Sequence, residues 1–432
     1  MERTIQIQPL DPLMIRDGRP FGNTPGARAH TLGTVTPGVV AGTLRTLMQK
    51  NNTAGTFGTT TKDAEREGKP STVAKVDIRG PLYMLNDRLF LPMPYDLDLY
   101  EPGLQEDPAS MHVNVRRPIE PAKNTPTHLQ GFLGTGKTSL HEDKLWPVSM
   151  DTEIRKPLKS APAYISAEWM IKWLCDNLQP EQWSAAIAEW RSKPEDKVHF
   201  ISPFVKEVRT HTAIQAETST VQDKALFSTE SLVIPPDVSL IASASIGSDV
   251  KWEGTISGIH SFGGKRRLAH FREIDDQEIQ DNIWKCPEAI AQAVAENPRY
   301  LRMVLATSAY FSKGWLPGWL DGDLKSTTKL DEKLQLQLCW ACLPRWEGIS
   351  GWSYRHNQPK AVRRMVAAGS VYFFKVICGD PVEFVRRNWL TSVSDEDRRK
   401  AFFDKQDGYG LATWGVWTPH GHHKGMDKGD IR

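Results

Sequence analysis

From residue 299 onward the chain reads as a sheet. "YLRMVLATSAYF", "KLQLQLCWACL" and "GSVYFFKVIC" are strand-length runs rich in β-branched and aromatic residues, and "GLATWGVW" reads as a last strand. Ser394 and Asp397 stand at capping-box spacing, so a helix is expected through "EDRRKAFFDKQ", with Gly408 at its end. Strands and helices mixed in this way point to α+β layers rather than to a doubly wound parallel sheet.

The first half is less regular. "TIQIQPL" places Ile5 and Ile7 on one face of a short, edge-like strand closed by Pro9 and Pro12. Thr36 and Pro37 read as an N-cap and first turn, followed by Val40, Leu44, Leu47 and Met48 at helical spacing. The polar stretch from about 51 to 75 reads as a loop. Residues 92–160 carry many prolines and little periodicity, and read as an insertion or long loops. Ser166 then caps a helix with Ile171, Leu174, Cys175 and Leu178 on one stripe, and Pro180 opens another carrying Trp183, Ile187 and Trp190. "SLVIPP" and "VSLIASASIG" are expected strands, and the polar tail from 419 is expected to be disordered.

With 432 residues, 39% of them hydrophobic, the chain can bury a sizeable core in two or three domains. A formal charge of +2 gives no global pull toward nucleic acid, so any such contact needs local basic patches. Five scattered cysteines fit no disulfide framework and suggest a reducing compartment. No stretch approaches the length of a membrane span, and the N-terminus has no signal-peptide pattern. A soluble, cytoplasmic protein is the expectation.

Several tempting motifs lack context. "GFLGTGKT", Gly131 to Thr138, spells a phosphate loop with Lys137 and Thr138 in the nucleotide-binding positions. Its flanks are polar and proline-broken, without the buried strand and helix start that would aim its amides at phosphate, so it reads as a loop. Cys339 and Cys342 in "CWAC" sit in a period-two run, where residues three apart face opposite ways, so they read as buried strand thiols. "HGHH", His420 to His423, lies in a glycine-rich tail, and no metal or cofactor site is expected there. His30, His211 and His270 have polar or basic neighbours and are candidate general bases for RNA cleavage.

The basic clusters are the better signal. Arg16 and Arg19 occupy a loop after the first strand, and Gly263 and Gly264 precede Lys265, Arg266 and Arg267. Glycine lets backbone approach phosphate closely and the adjacent cations supply counter-charge. Gly408, Gly410 and Gly415 form a second glycine-rich segment, which reads either as a helix C-cap followed by a glycine-relaxed strand start or as a loop exposing amides to an RNA backbone.

Taken together these segments resemble one family. "IQPLDPLMIRDGRPFG" with "TPGVVAGTLRT", "KEVRTHTAIQAETSTVQDKALFSTESLVI", "FGGKRRLAHF", "ISGWSYRHNQPKAVRRMVAAGSVYFFKV" and "GYGLATWG" keep one order from residue 5 to about 417. They resemble the RAMP-superfamily subunit that binds the guide-RNA (crRNA) 5′ tag in type III-B (Cmr) CRISPR effector complexes. The departures are the enlarged region at about 92–160, the tail, and a glycine-rich loop without adjacent basic residues.

The resemblance implies two ferredoxin-like βαββαβ RAMP domains with insertions. The first would span 1–260, with insertions at about 51–75 and 92–195, and the second 261–418, followed by the tail 419–432. It also implies a non-catalytic role: holding the crRNA 5′ tag, often with a projecting hairpin, and docking the large polymerase-like Cas subunit onto the backbone RAMP subunits. Target RNA would be met only indirectly. Arg16, Arg19, Gly263, Gly264, Lys265, Arg266 and Arg267 are the first-choice RNA-binding residues, and Gly408, Gly410 and Gly415 the second. The competing readings are a guide-processing RAMP endoribonuclease using His30 or His211, a phosphate-loop NTPase using Lys137 and Thr138, and a scaffold that touches no RNA.

Overall fold

The computed structural model describes residues 2–16, 19, 26–52, 76–103, 105–107, 110–121, 145–148, 155–194, 196, 198–247, 252–353, 358–395 and 406–420. The phosphate-loop match, the loop at 53–75, the helix expected after Asp395 and the tail from 421 lie outside them.

Strand β1, Glu2–Pro9, is central rather than an edge. It pairs antiparallel with both β6, Val238–Ile246, and β7, Leu268–Ile274. Pro9 falls at the last paired position, so the proline ends the strand without exposing it, and Ile5 and Ile7 are fully buried. Helix α1, Pro37–Asn51, follows the predicted spacing, with Thr36 as N-cap and Val40, Leu44, Leu47 and Met48 buried. Strands β2, Val76–Leu85, and β3, Arg88–Pro92, form a hairpin continued by Tyr164–Ser166 and Phe200–Ile201. Helix α2, Ala167–Leu174, is shorter than its expected stripe: Cys175 is its C-cap, Leu178 lies beyond it, and it buries Met170, Trp173 and Leu174 while Ile171 is half-buried. Helix α3, Pro180–Ser192, buries Trp183, Ile187 and Trp190 as expected. Strands β4, Val205–Ile214, and β5, Val221–Val233, pair as a long hairpin.

The first sheet has the order Gly258–Ser261, β7, β1, β6, β2, β3, Tyr164–Ser166, Phe200–Ile201. It continues past residue 260, because β7 is one of its strands. Alternate residues of β2 feed two cores. Tyr83 and Leu85 join Ile5, Val40 and Leu44 beneath α1, while Leu82 and Met84 face Trp173 and Leu174 of α2.

The second half begins with α4, Gln277–Trp284, and α5, Glu288–Glu296. Strands β8, Tyr300–Leu305, β9, Gln335–Cys342, and β10, Val371–Cys378, follow, then α6, Pro381–Arg387, and β11, Leu411–Val416. Asp380 caps α6, its carboxylate accepting from the Val382 and Glu383 amides. The sheet order is β9, β10, β8, β11, with Thr391–Ser392 at the edge. The two halves share one pattern: β7-β1-β6-β2 and β11-β8-β10-β9 each place the fourth strand beside the first, then the third and the second.

A register shift between Leu338 and Trp340 makes Cys339 the extra residue of a bulge in β9. Both Cys339 and Cys342 are consequently buried, and burial pushes both thiols above their ordinary value. Among the described residues no three His, Cys, Asp or Glu side chains gather as a metal site, and no helix is long and apolar enough to cross a membrane.

A buried ion pair holds the insertion against the second sheet. Arg302 on β8 is 1% exposed and Asp96 0%. The Arg302 Nη1 donates to Asp96 Oδ2 at 3.0 Å, its Nη2 donates to the Trp173 carbonyl, and the guanidinium lies 4.3 Å from the Trp173 ring centroid. Trp173 Nε1 donates to the other carboxylate oxygen at 3.3 Å. Removing one partner would strand the other charge in the core. Asp96→Ala should therefore lower the unfolding free energy by about 3–5 kcal/mol, read by denaturant titration; a loss below about 1 kcal/mol would contradict this role.

Candidate nucleic-acid interface

Residues far apart in sequence meet at one end of the first half. After β1 the backbone turns, and Leu13 exchanges two hydrogen bonds with Leu232 of β5, at 2.8 and 2.6 Å. Ile15 accepts from the Leu32 amide at 2.7 Å, and its own amide donates to Thr31 Oγ1 at 2.9 Å. The Gly264 amide donates to the Met14 carbonyl at 2.8 Å, two residues before Arg16. The Arg16 loop and the Gly263–Arg267 loop, predicted separately, are thus in direct contact.

The close approach that Gly263 and Gly264 permit is to this chain's own backbone. A carbon added at either would stand 3.1 Å from the Met14 carbonyl oxygen, and Gly263 has φ 77°. The following turn is strained. Lys265 and Arg266 have φ of 57° and 52°, a left-handed geometry that costs a non-glycine residue of order 1–2 kcal/mol. The turn leaves both side chains exposed. Desolvation, then the neighbouring Arg267 charge, holds the Lys265 amine below its ordinary value. Arg267 Nε is buried and has no hydrogen-bond partner among the described residues.

The long hairpin supplies the rest of this surface. Arg28–Ala29 pairs parallel with β5, completing a three-stranded sheet with β4 at its other edge. Glu230 of β5 accepts from the Thr31 amide at 3.2 Å and pairs with His30 Nδ1 at 2.9 Å and Arg28 Nε at 2.8 Å. Lys206 Nζ donates to the Thr31 carbonyl at 2.6 Å. The His211 ring stacks on Phe227 at 5.1 Å, and Lys265 Nζ lies 5.8 Å from the Phe227 centroid. Arg16, Arg19, Arg28, Lys206, Arg209 and the Lys265–Arg267 turn thereby form one basic surface, with Glu207 drawn down by its bond to Arg209. Sequence reasoning missed Arg28, Lys206, Arg209, Phe227 and Glu230. For Lys206 and Arg209 the signal was a strand, "VKEVRTHTAI", with polar residues on both faces, as expected of one that stands clear of a core; Arg28, Phe227 and Glu230 carried no comparable local signal.

Of the histidines, His30 is held on Glu230, His211 is bonded to Thr229 Oγ1 at 2.9 Å, and His270 is exposed on β7. The three sites are not assembled into one constellation by any hydrogen bond among them.

The second glycine segment lies elsewhere. Gly408, Gly410 and Gly415 are all buried. A carbon added to Gly408 would come within 2.5 Å of the Gly80 carbonyl oxygen of β2. One at Gly410 would collide with Ser394, and one at Gly415 with the Leu174 carbonyl at the end of α2. These glycines let the two halves and the insertion close on one another. Around them Ile78 donates its amide to the Gln406 carbonyl at 2.7 Å, and Arg45 pairs with Asp407.

The family model for the CRISPR-associated protein Cas_Cmr3 matches residues 5–417, and the chain belongs to that family. Among solved structures, a chain of the cryo-EM structure of the Type III-B Cmr-beta bound to cognate target RNA and AMPPnP, state 1, is 14% identical, with 86% of each chain covered and a TM-score of 0.42. A chain of the Type III-B Cmr-beta bound to cognate target RNA is 13% identical, again with 86% of each covered, at 0.43. A chain of the Csm3-Csm4 subcomplex in the type III-A CRISPR-Cas interference complex is 12% identical, covering 88% of this chain and 94% of that one, at 0.35. No curated protein matches the sequence.

Two outcomes follow from this geometry. Gly415→Ala should destabilise the fold by about 1–3 kcal/mol or more through overpacking against α2; an unchanged melting temperature would contradict the contact. Burial works to raise the Glu230 carboxyl, but the Thr31 amide, His30 and Arg28 outweigh it and hold the group below its ordinary value. A carboxylate so held binds fewer protons folded than unfolded. Its stabilisation is complete above the unfolded value, about 4.3, and is lost as pH falls toward the lower folded value. Melting temperatures taken from about pH 5 to pH 3 should fall less steeply for Glu230→Gln than for the parent. Parallel acid limbs would show that Glu230 is not so held.

Proposed function

We propose that this chain is a non-catalytic guide-RNA-binding subunit of a type III-B (Cmr) ribonucleoprotein, built from two ferredoxin-like βαββαβ RAMP units. The shared strand order of the two sheets supports that architecture, each half supplying one of the two crossing helices among the described residues: α1 after the first strand in one, α6 after the third in the other. Membership of the Cas_Cmr3 family supports the setting, a cytoplasmic effector complex in which this subunit holds the crRNA 5′ tag. In this reading it also docks the large polymerase-like subunit onto backbone RAMP subunits.

The observation that carries the RNA-binding reading is the Gly264–Met14 contact, which joins two basic loops about 250 residues apart at the foot of the β4–β5 hairpin. Cations gathered there from separate segments, on a strained turn, suit a phosphate backbone better than a solvated face. The hairpin is the projecting element, and splayed bases would stack against its side.

One observation favours the endoribonuclease reading: the His30–Glu230 pair inside the basic surface, a base oriented by a carboxylate. Metal-independent cleavage of a repeat RNA that disappears in His30→Ala would decide for it; intact RNA decides for the binder.

Replacing both Arg266 and Arg267 with Ala should weaken RNA binding and reduce the slope of log K against log salt by about 1.4, at about 0.7 per single-strand phosphate contact. Identical affinity and slope in the variant would remove both residues from the interface.

A further inference from the structure

A short hairpin in the second half, Glu347–Ile349 paired with Arg363–Met365, presents two different faces. Inward, Glu347 accepts from Ser308 Oγ at 2.7 Å, Ile349 is buried, and Arg363 lies 4.8 Å from the Tyr409 ring centroid. By strand alternation Trp346 and Gly348 face outward, with Arg364 directly opposite Gly348. Trp346 is 47% exposed and its neighbour Val362 56%. The indole lies over Gly348, where an added carbon would stand 3.4 Å from Trp346 Cζ3. The Arg364 guanidinium is 4.9 Å from the ring centroid and that of Arg345 5.9 Å. The result is a large aromatic face at the surface, seated on backbone and braced by two cations.

The inner side of the same hairpin lines a cleft of about 910 Å³ between the halves. Leu32 and Thr34 on its other wall follow directly on the Arg28–Thr31 segment of the basic surface, and Pro203 lies two residues before β4. Tyr83, Tyr95 and Tyr100 also line it. The cleft therefore reaches from beside the basic surface to the inner side of the hairpin, whose outer face bears Trp346.

We propose that Trp346, with Arg345 and Arg364, is a stacking platform for an unpaired base of the same RNA strand that the basic surface holds. The proposal rests on the RNA-binding reading and extends it to a second contact. Stacking on an indole accepts any base, and the two guanidinium groups supply counter-charge to the phosphates beside it.

The test uses the full chain in its co-purified complex, stripped of endogenous RNA, with fluorescent single-stranded oligoadenylates of graded length from about four to about twenty nucleotides. Trp346→Ala should cost about tenfold in affinity for the long oligomers, little for the shortest, and leave the salt slope unchanged because no charge is lost. Trp346→Phe should keep most of the affinity. The Arg266→Ala, Arg267→Ala protein should weaken at every length. Parent-like binding by Trp346→Ala at all lengths, with the double arginine variant still weakened, would overturn the platform and leave the RNA reading standing. Parent-like binding by both proteins would overturn the RNA reading itself. Normal RNA binding by Trp346→Ala with loss of a co-purifying subunit would make this face a protein contact instead, and would also overturn the platform.

Discussion

The ion pair between Asp96 and Arg302 is the interaction on which the arrangement of the two halves depends. It is fully buried, so its strength depends on how far its surroundings satisfy the two charges. The Trp173 indole N–H, carbonyl and ring face meet most of what the two charges do not satisfy in each other, with Arg302 Nε left without a hydrogen-bond partner among the described residues. The three residues come from the insertion's first strand region, from α2 and from the second sheet. A hydrophobic contact alone would let these layers slide; a directional pair fixes their register. Beside it Arg117 pairs with Asp176 at 2.5 Å, and Thr418 after the last strand donates to the same carboxylate at 2.8 Å, so the end of the second sheet is tied to the same joint.

The glycine segment at 408–415 closes against β2 and α2, and at Gly408 and Gly415 only glycine is small enough for the gap. The cleft between the halves is lined on one side by Leu32 and Thr34, which follow the Arg28–Thr31 segment of the basic surface, and on the other by Glu347–Ile349. The basic surface itself is assembled differently. Its loops are anchored by the buried side chains of Leu13, Ile15 and Leu232 and by main-chain bonds among Leu13, Ile15, Leu32 and Leu232, with Glu230 as the buried counter-charge. Function is thus carried by loops fixed to a rigid frame.

What could be read in the sequence was what is local. The apolar stripes of α1 and α3 and the strand runs after residue 299 are periodic within a dozen residues, and they formed as expected, whereas α2 stops at Leu174, before the Cys175 and Leu178 of its expected stripe. The place of β1 was misread because the partners that make it central, Val238–Ile246 and Leu268–Ile274, lie more than two hundred residues away. Arg302 sits in "YLRMVL", where alternation suggests an outward arginine, but β8 is covered on both faces and the charge is met by Asp96 from the insertion. The basic loops were recognisable by composition. Their contact through Met14 was not, because it depends on one hydrogen bond that closes only when the sheet is complete. The glycines of the last loop carry a pattern equally suited to phosphate and to close packing, and only the neighbouring Leu174 and Gly80 carbonyls reveal the packing.

The most direct test of the central claim is to purify the tagged protein from cells expressing its native operon and to sequence the RNA that accompanies it. The account predicts guide RNAs sharing one defined 5′ end, together with a large co-purifying subunit. A protein that emerges alone and free of RNA, with its fold intact, would contradict it.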